Sequence, residues 1–140
     1  MKVFFDSSAF VKRFVEEAGS REVDNYCEQA SSLGLSILCI PEMASALNRK
    51  RREGDLTKGD YRQIKTQIGK DVEDVQIIDL TPEVTQGAVR LLERHVLRSL
   101  DALHIACALE WEADLFVSSD KRQAQASRDS GLDVRCIQHG

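Results

Sequence analysis

The sequence predicts an α/β fold in which a central parallel sheet of about five strands is packed between layers of helices. Short apolar segments alternate along the chain with longer segments of helical periodicity, an order typical of parallel α/β domains. The first apolar segment, Val3 to Phe5, is continuous rather than alternating, as expected for a strand buried on both faces of a sheet. Together these observations favour a right-handed parallel sandwich.

Length and composition restrict the class of protein further. The 140 residues predict one domain, residues 1–140, large enough to bury a core without disulfides. No run of about 18 apolar residues is present, so we expect no membrane span. The chain opens on a strand pattern, so we expect no signal peptide. The four cysteines form no C-x-x-C pair and no zinc-type cluster, which favours reduced thiols and a cytoplasmic location.

Each predicted strand is a short apolar run bounded by polar or turn-forming residues. The strands are expected at residues 3–5, 35–40, 75–80, 115–118 and 134–137. The segments between them place apolar residues three and four positions apart, as on one face of a helix. Helices are expected at residues 10–15, 20–33, 42–53, 57–72, 81–96, 100–112 and 121–130, the sixth of them largely buried. Only the last two or three residues look like a tail.

Several helix starts are marked by residues that cap helices. The candidate caps have hydroxyl side chains: Ser20, Thr57, Thr81 and Ser99. Thr57 with Asp60 three residues later resembles a capping box, although aspartate replaces the usual glutamate or glutamine, and Pro82 suits the first position of a helix. Pro41 likewise predicts the start of the third helix and forces the residue before it out of helical conformation.

Four acidic residues fall where this fold gathers its ligands. Asp6, Glu42 and Asp120 follow the first, second and fourth strands, and Asp101 opens the buried helix before the fourth strand. In a parallel sheet, the carboxyl ends of the strands and the starts of the following helices share one edge. Taken singly, each acid has a structural explanation as a helix cap or as a first-turn residue favoured by the helix dipole. Their combination favours a common site.

Acids gathered in this way are typical of a metal site. Neighbouring carboxylates repel and raise one another's pKa values, and a divalent cation removes that penalty. Oxygen ligands without cysteine or histidine suit Mg²⁺ or Mn²⁺. Such a site can orient a water and stabilise both the attacking and leaving oxygens in phosphodiester hydrolysis. The expected metal ligands, which are also the expected catalytic residues, are Asp6, Glu42, Asp101 and Asp120.

Polar residues close to the acids could support them. His104 is a helical neighbour of Asp101 and could hold a carboxylate in place, reach substrate, or be a hydrogen-bonded core histidine. The hydroxyls expected at the same edge either orient the acids or cap turns, and they belong to Ser7, Ser8 and Ser118.

Basic residues near the acids are candidates for binding the phosphates of a nucleic acid, although the formal net charge of −4 does not by itself indicate nucleic-acid binding. The candidates are Lys12, Arg13, Lys121 and Arg122. The basic run 49–52 either joins them or is a solvated helix end whose cations stabilise the helix dipole.

Four segments, taken in order, resemble one family. They are FDSSAFVKRF at 5–14, PEMASAL at 41–47, SLDALHIACA at 99–108 and VSSDKR at 117–122. The chain resembles the PIN-domain ribonucleases, and most closely the VapC toxins of toxin–antitoxin pairs. The resemblance implies a PIN-like α/β/α sandwich and an endoribonuclease that requires Mg²⁺ or Mn²⁺ at the four acids. It also implies 5′-phosphate and 3′-hydroxyl products, a homodimer, and a cognate VapB-like antitoxin whose tail occupies the active-site groove.

Three positions depart from the family pattern. Ser118 stands where many relatives have threonine, which keeps the hydroxyl. Arg122 stands where many have another acid, so we expect one metal ion rather than two. Gln123 replaces a frequent apolar residue, which we interpret as a feature of the surface.

Two other functions compete with a nuclease as explanations of these acids. A phosphoacceptor signalling domain would need paired acids after the first strand and a lysine at the end of the fifth, where Asp6-Ser7 and Ile137-Gln138 stand instead. The alternative within the family is a catalytically idle PIN fold that binds RNA or protein, which the four intact acids disfavour.

Overall fold

Five strands form one sheet in the structure, a computed structural model that describes residues 1–137. The strands are β1 Lys2–Phe5, β2 Ser32–Ser36, β3 Gln76–Ile78, β4 Leu115–Ser118 and β5 Val134–Cys136. Their order is β3-β2-β1-β4-β5, and every adjacent pair is parallel. The predicted number and direction of the strands are confirmed. The tail predicted for the last two or three residues lies outside the described part of the chain.

Seven α-helices of residues 1–137 connect the strands and cover the sheet. They are α1 Ser7–Phe10, α2 Ser20–Gln29, α3 Cys39–Arg52, α4 Lys58–Asp71, α5 Pro82–Arg94, α6 Ser99–Trp111 and α7 Lys121–Asp129. A 3-10 turn extends α1 over Val11–Arg13, and another follows α4 over Val72–Asp74. None of these helices combines the length and apolar character needed to cross a bilayer. All four cysteines have free thiols, as predicted.

The central strand β1 is buried on both faces, as its continuous apolar sequence predicts. Val3, Phe4 and Phe5 have no exposed surface. Phe4 stacks on Phe116 within the core on one side of the sheet, with ring centroids 5.5 Å apart. Phe5 contacts Phe10 in the core on the other side. Burial of a large apolar side chain contributes about 1.5–3 kcal/mol, so this strand anchors both cores.

The strand order places a crevice at the carboxyl end of β1. From β1 the chain winds through β2 to β3 at one side of the sheet, and it then returns to add β4 and β5 on the other. The connections leaving β1 and β4 therefore diverge, and open α/β sheets bind ligands at such a switch point. Asp6 directly follows β1, and Asp120 lies two residues after the end of β4.

The second strand lies earlier than the predicted span 35–40, because an apolar run can serve either a strand or a helix start. The strand uses Gly34, where an added Cβ would lie 2.6 Å from the ring of Trp111. Close packing of α6 on the sheet therefore fixes this register. The helix α3 already begins at Cys39 and places Pro41 in its first turn, where the missing N–H leaves no intrahelical bond unmade.

Two of the four predicted caps are confirmed. Thr57 accepts a hydrogen bond from the backbone N of Asp60, whose carboxylate accepts one in return from the backbone N of Thr57, forming the predicted capping box. Thr81 accepts from the backbone N of Val84 at the start of α5.

The other two predicted caps, Ser20 and Ser99, are wrong, because in each case the preceding residue occupies the N-cap position. Gly19 precedes α2 with a positive φ of 93°, which glycine adopts at little cost. Ser20 is instead the first residue of that helix, and its hydroxyl donates to the carbonyl O of Val15. Arg98 precedes α6, and Ser99 is the first helical residue there.

Candidate active site

Asp6 directly follows β1 at the switch point and is only 3% exposed. Its Oδ1 accepts hydrogen bonds from the backbone N of Ala9 at 3.1 Å and from Ser8 Oγ at 2.7 Å, so it caps α1. Burial raises the pKa of Asp6 above its ordinary value, although the charge of His104 and the hydrogen bonds, including one from Ser118, act in the opposite direction. The carboxylate is thus bound by neutral donors that do not fully offset its burial.

Ser118 joins Asp6 to the loop that carries Asp120. Its hydroxyl donates to Asp6 Oδ2 at 2.5 Å and accepts from the backbone N of Asp120 at 3.0 Å. Ser8 Oγ accepts from the backbone N of Ser119 at 2.9 Å, which adds a second connection across the same crevice. The junctions after β1 and β4 are therefore held together by side-chain hydroxyls at the edge where the sequence predicted them.

Asp120 caps α7, as its structural explanation required, yet it also lines the crevice. Its Oδ1 accepts from the backbone N atoms of Arg122 at 2.8 Å and Gln123 at 3.2 Å. Because both of these bonds end on one oxygen, the cap leaves Oδ2 able to accept another ligand. Capping and ligand binding are compatible for this residue.

The crevice opens into a cleft of about 930 Å³. Its surface includes Asp101, Asp120 and Ser8, together with residues 96–98 of the loop between α5 and α6. Asp101 accepts hydrogen bonds from Arg98, with Nε 3.0 Å from Oδ2 and a terminal guanidinium nitrogen 3.5 Å from Oδ1. The largely exposed Arg98 thus forms an ion pair with the carboxylate of Asp101.

Glu42 belongs to a second cluster beside the first. Its Oε1 accepts from Ser7 Oγ at 2.7 Å and contacts Nε2 of His104, whose side chain is 2% exposed. Burial by itself raises the pKa of Glu42, but the hydrogen bond and charge of His104, together with Ser7, bring it below its ordinary value. His104 therefore holds a carboxylate, one of the roles that the sequence left open for it.

The structure brings the four acids to one region of the molecule but does not close them into a single ligand set. Asp101 and Asp120 line the cleft, and Asp6 is tied to its wall through Ser118. Among residues 1–137, no three side chains of histidine, cysteine, aspartate or glutamate are arranged to share one metal ion. Each carboxylate has a protein partner instead, although their oxygen chemistry suits a hard divalent cation.

The predicted basic residues divide into two groups. Lys121 and Arg122 are exposed and line the cleft. Lys12 lines the same cleft, but it is buried, and its Nζ donates to Glu17 Oε1 at 3.2 Å and to a backbone carbonyl. Arg13 lines a separate cavity that contains none of the four acids. Successive residues of a 3-10 turn diverge by about 120°, so Lys12 and Arg13 point in different directions.

Arg13 is committed to other acids. Its Nε donates to Asp71 Oδ2 at 2.8 Å, and a terminal nitrogen donates to Asp24 Oδ1 at 3.2 Å. The prediction that it lies beside the four acids is not met, because this ion-pair network holds α2 and α4 together instead.

Gln123 is buried, so its interpretation as a surface residue is wrong. It is 1% exposed and donates from Nε2 to the backbone carbonyl O of Asp101 at 3.1 Å. The buried face of α7 otherwise consists of small side chains, namely Ala124, Ala126 and Ser127. Such a face gives little hydrophobic signal, and so the sequence does not predict the burial of Gln123.

Fold and site together define a class of protein. Residues 3–129 match the PIN domain family, and the chain belongs to that family. It is 35% identical over 111 residues to Ribonuclease VapC45 of Mycobacterium tuberculosis, a match that covers 76% of this chain and 74% of the relative. The family resemblance predicted from the four sequence segments is confirmed.

Solved structures share the fold across nearly the whole chain. The VapBC2 structure from Rickettsia felis, bound to a DNA fragment from its promoter, matches with a TM-score of 0.71 and 12% identity, covering 99% of this chain and 100% of that one. VapC20 of Mycobacterium tuberculosis, described as a toxin that cleaves the sarcin–ricin loop, matches with a TM-score of 0.70 and 15% identity, covering 93% and 95%. The PIN-like sandwich with five parallel strands is therefore confirmed.

Proposed function

We propose that the protein is an endoribonuclease of the VapC type that hydrolyses RNA phosphodiester bonds with Mg²⁺ or Mn²⁺. The observation that carries this proposal is the cleft at the switch point, which Asp101 and Asp120 line and to whose wall the buried Asp6 is tied through Ser118. The relative named ribonuclease supports the reaction class. The same chemistry of oxygen ligands is what a hard divalent cation requires.

In this proposal Asp6 and Asp101 bind the cation directly. Asp120 and Glu42 bind it directly or through water, and one of them helps to deprotonate the nucleophile. The raised pKa of Asp6 supports its role, because a carboxylate buried among neutral donors gains most from a cation. When bound, the cation would supply an activated water and neutralise charge on the phosphate oxygens.

The hydroxyls and His104 orient the acids. Ser118 and Ser8 hold Asp6 and the loop of Asp120, and Ser7 and His104 hold Glu42. Such supporting hydrogen bonds fix the direction of a ligand's lone pairs, and their loss typically costs about 10–100-fold in metal affinity or activity.

Lys121 and Arg122 are the proposed contacts to RNA phosphates, since both line the cleft. Arg98 joins them, because it lines the same cleft and its largely exposed guanidinium could also donate hydrogen bonds to a phosphate. Lys12 supports the cleft wall through Glu17, and Arg13 stabilises the fold from the other side.

The partners follow from the family. We propose a VapB-like antitoxin as inhibitor and a homodimer as the assembled toxin, in the reducing environment of the cytoplasm that free thiols favour. Structural neighbours include a DNA-bound VapBC complex from Salmonella typhimurium and a toxin–antitoxin complex from Klebsiella pneumoniae.

The test is cleavage of total RNA and tRNA by antitoxin-free protein in Mg²⁺, Mn²⁺ or EDTA. Asp6→Asn and Asp101→Asn are expected to abolish the cuts, whereas Asp55→Asn, at an exposed acid outside the cleft, is expected to leave them unchanged. Calorimetry with Mn²⁺ accompanies each variant. Equal cutting by the wild type and both site variants would indicate a contaminating nuclease. Metal binding without cutting would indicate a narrower RNA target, and absence of both would leave the idle PIN fold as the better account.

A further inference from the structure

Gln123 contacts both acids that line the cleft, yet it has no part in the chemistry proposed above. Its side-chain Nε2 donates to the backbone carbonyl O of Asp101 at 3.1 Å, and its backbone N donates to Asp120 Oδ1 at 3.2 Å. The first of these bonds joins the opening turn of α6 to the opening turn of α7. One residue therefore links the two helix starts from which the acids enter the cleft.

The environment of the oxygen of the same side-chain amide is unfavourable for folding. Oε1 of Gln123 is buried and has no hydrogen-bond partner among the described residues. An unsatisfied buried acceptor usually costs at least as much free energy as one neutral hydrogen bond contributes. An apolar side chain of the same size would avoid that cost, so folding stability alone gives no reason for glutamine at this position.

We propose that Gln123 is a positioning residue that sets the separation between Asp101 and Asp120 and thereby strengthens the binding of a divalent cation in the cleft. This inference rests on the proposed function. The carbonyl that Gln123 holds belongs to Asp101 itself, so a shift of that peptide moves the carboxylate attached to it. Ligands of a small cation must be placed accurately, because Mg²⁺ tolerates little departure from its preferred geometry.

Hydrogen bonds of Ser8 and Ser118 tie the residues just before α7 to the end of β1, but these bonds do not reach α6. The buried face of α7 is made of small side chains that slide over a neighbour more easily than large interlocking ones do, and among residues 1–137 Ser127 Oγ bonds within the helix, to the carbonyl of Gln123. The amide of Gln123 is therefore the directional contact that fixes this helix relative to the start of α6.

The test replaces the amide with a thioether of similar size. Gln123→Met is expected to weaken Mn²⁺ binding about 10-fold or more, as does the loss of other groups that orient metal ligands. Its melting temperature in EDTA is expected to stay equal or rise, because the unsatisfied oxygen is removed. Gln125→Met, at an exposed glutamine of the same helix, is expected to change the dissociation constant by less than about twofold. Calorimetry and thermal unfolding provide the two readouts.

Two further variants separate positioning from general loosening of the helix. Ala126→Gly destabilises α7 without touching the amide, so it is expected to lower the melting temperature and to affect Mn²⁺ binding much less than Gln123→Met. Equal losses of affinity in the two variants would overturn the positioning role. Unchanged affinity in Gln123→Met would overturn it as well. The proposed metal site is tested separately. If the wild type binds Mn²⁺ and Asp101→Asn does not, the site is supported whatever the result for Gln123→Met. If the wild type binds no Mn²⁺, the site itself is overturned.

Discussion

Two neighbouring clusters shift the pKa of a carboxylate in opposite directions. The Asp6 cluster contains Asp6, Ser8 and Ser118, and the Glu42 cluster contains Glu42, Ser7 and His104. Asp6 is buried among the hydroxyls of Ser8 and Ser118, and its pKa is raised because burial outweighs those neutral donors. Glu42 is less deeply buried and is paired with His104, which lowers its pKa despite its burial. The hydrogen bonds to Asp6 do not fully offset its burial, whereas the contact with His104 and the bond from Ser7 more than offset the burial of Glu42.

This difference indicates which acid most needs a metal ion. Among residues 1–137, the hydrogen-bond partners of Asp6 include no cationic side chain, so a divalent cation would offset a cost that this part of the fold leaves in place. Glu42 is already paired with His104, which lowers its pKa, so it gains less from a cation. Three predictions test the contrast.

The largest expected effect is on cleavage. Asp6→Asn is expected to reduce the rate of RNA cleavage by at least about 10³-fold, because the amide keeps the cap of α1 but loses the charge. Glu42→Gln is expected to reduce it by only about 10–100-fold, the range typical of outer ligands. Single-turnover cleavage measures both rates. A greater loss in Glu42→Gln would reverse the assignment of the direct ligand.

A smaller effect is expected on folding when each cluster loses one hydroxyl. Ser118→Ala removes a donor from the buried Asp6 carboxylate and is expected to lower the free energy of unfolding by about 1–3 kcal/mol. Ser7→Ala is expected to lower it by less than about 1 kcal/mol, because Glu42 keeps His104. Urea titration gives both values. Equal losses would mean that His104 does not compensate for the missing hydroxyl.

The smallest effect is a pH dependence of opposite sign in the two clusters. Because the pKa of Asp6 in the folded state is raised above its ordinary 3.8, wild-type stability falls as pH rises from that value through the raised pKa. Asp6→Asn is thus expected to gain stability relative to wild type over this interval. The pKa of Glu42 is lowered from 4.5, so its contribution is present above that value and is lost as pH falls through the lowered pKa.

Urea titrations of wild type, Asp6→Asn and Glu42→Gln across the acidic range check these signs. The stability difference between wild type and Glu42→Gln should shrink towards low pH, while that between Asp6→Asn and wild type should grow towards neutral pH. The same sign in both variants would show that the two carboxylates share one environment, and the contrast between the clusters would fail.

Local sequence was sufficient for features set by short-range rules. The uninterrupted run Val3 to Phe5 predicted a strand buried on both faces, and Thr57 with Asp60 predicted a capping box; both are confirmed. Prediction from local sequence failed where one pattern of residues is compatible with more than one local structure. The run 35–40 is divided between a strand and a helix start, and the contact of Gly34 with Trp111 that decides between them spans 77 positions of sequence.

The sequence by itself determined the fold class, the family and the edge of the sheet to which the acids belong, because periodicity and chain order carry that information. Only the tertiary structure decided which side chain each polar group meets. The side chain of Lys12 donates a hydrogen bond to Glu17, that of Arg13 to Asp71, and that of Gln123 to the carbonyl of Asp101. Such pairings depend on distances of a few ångströms between residues that are remote in sequence or that diverge within one turn of helix, and a pattern of residue types does not encode those distances.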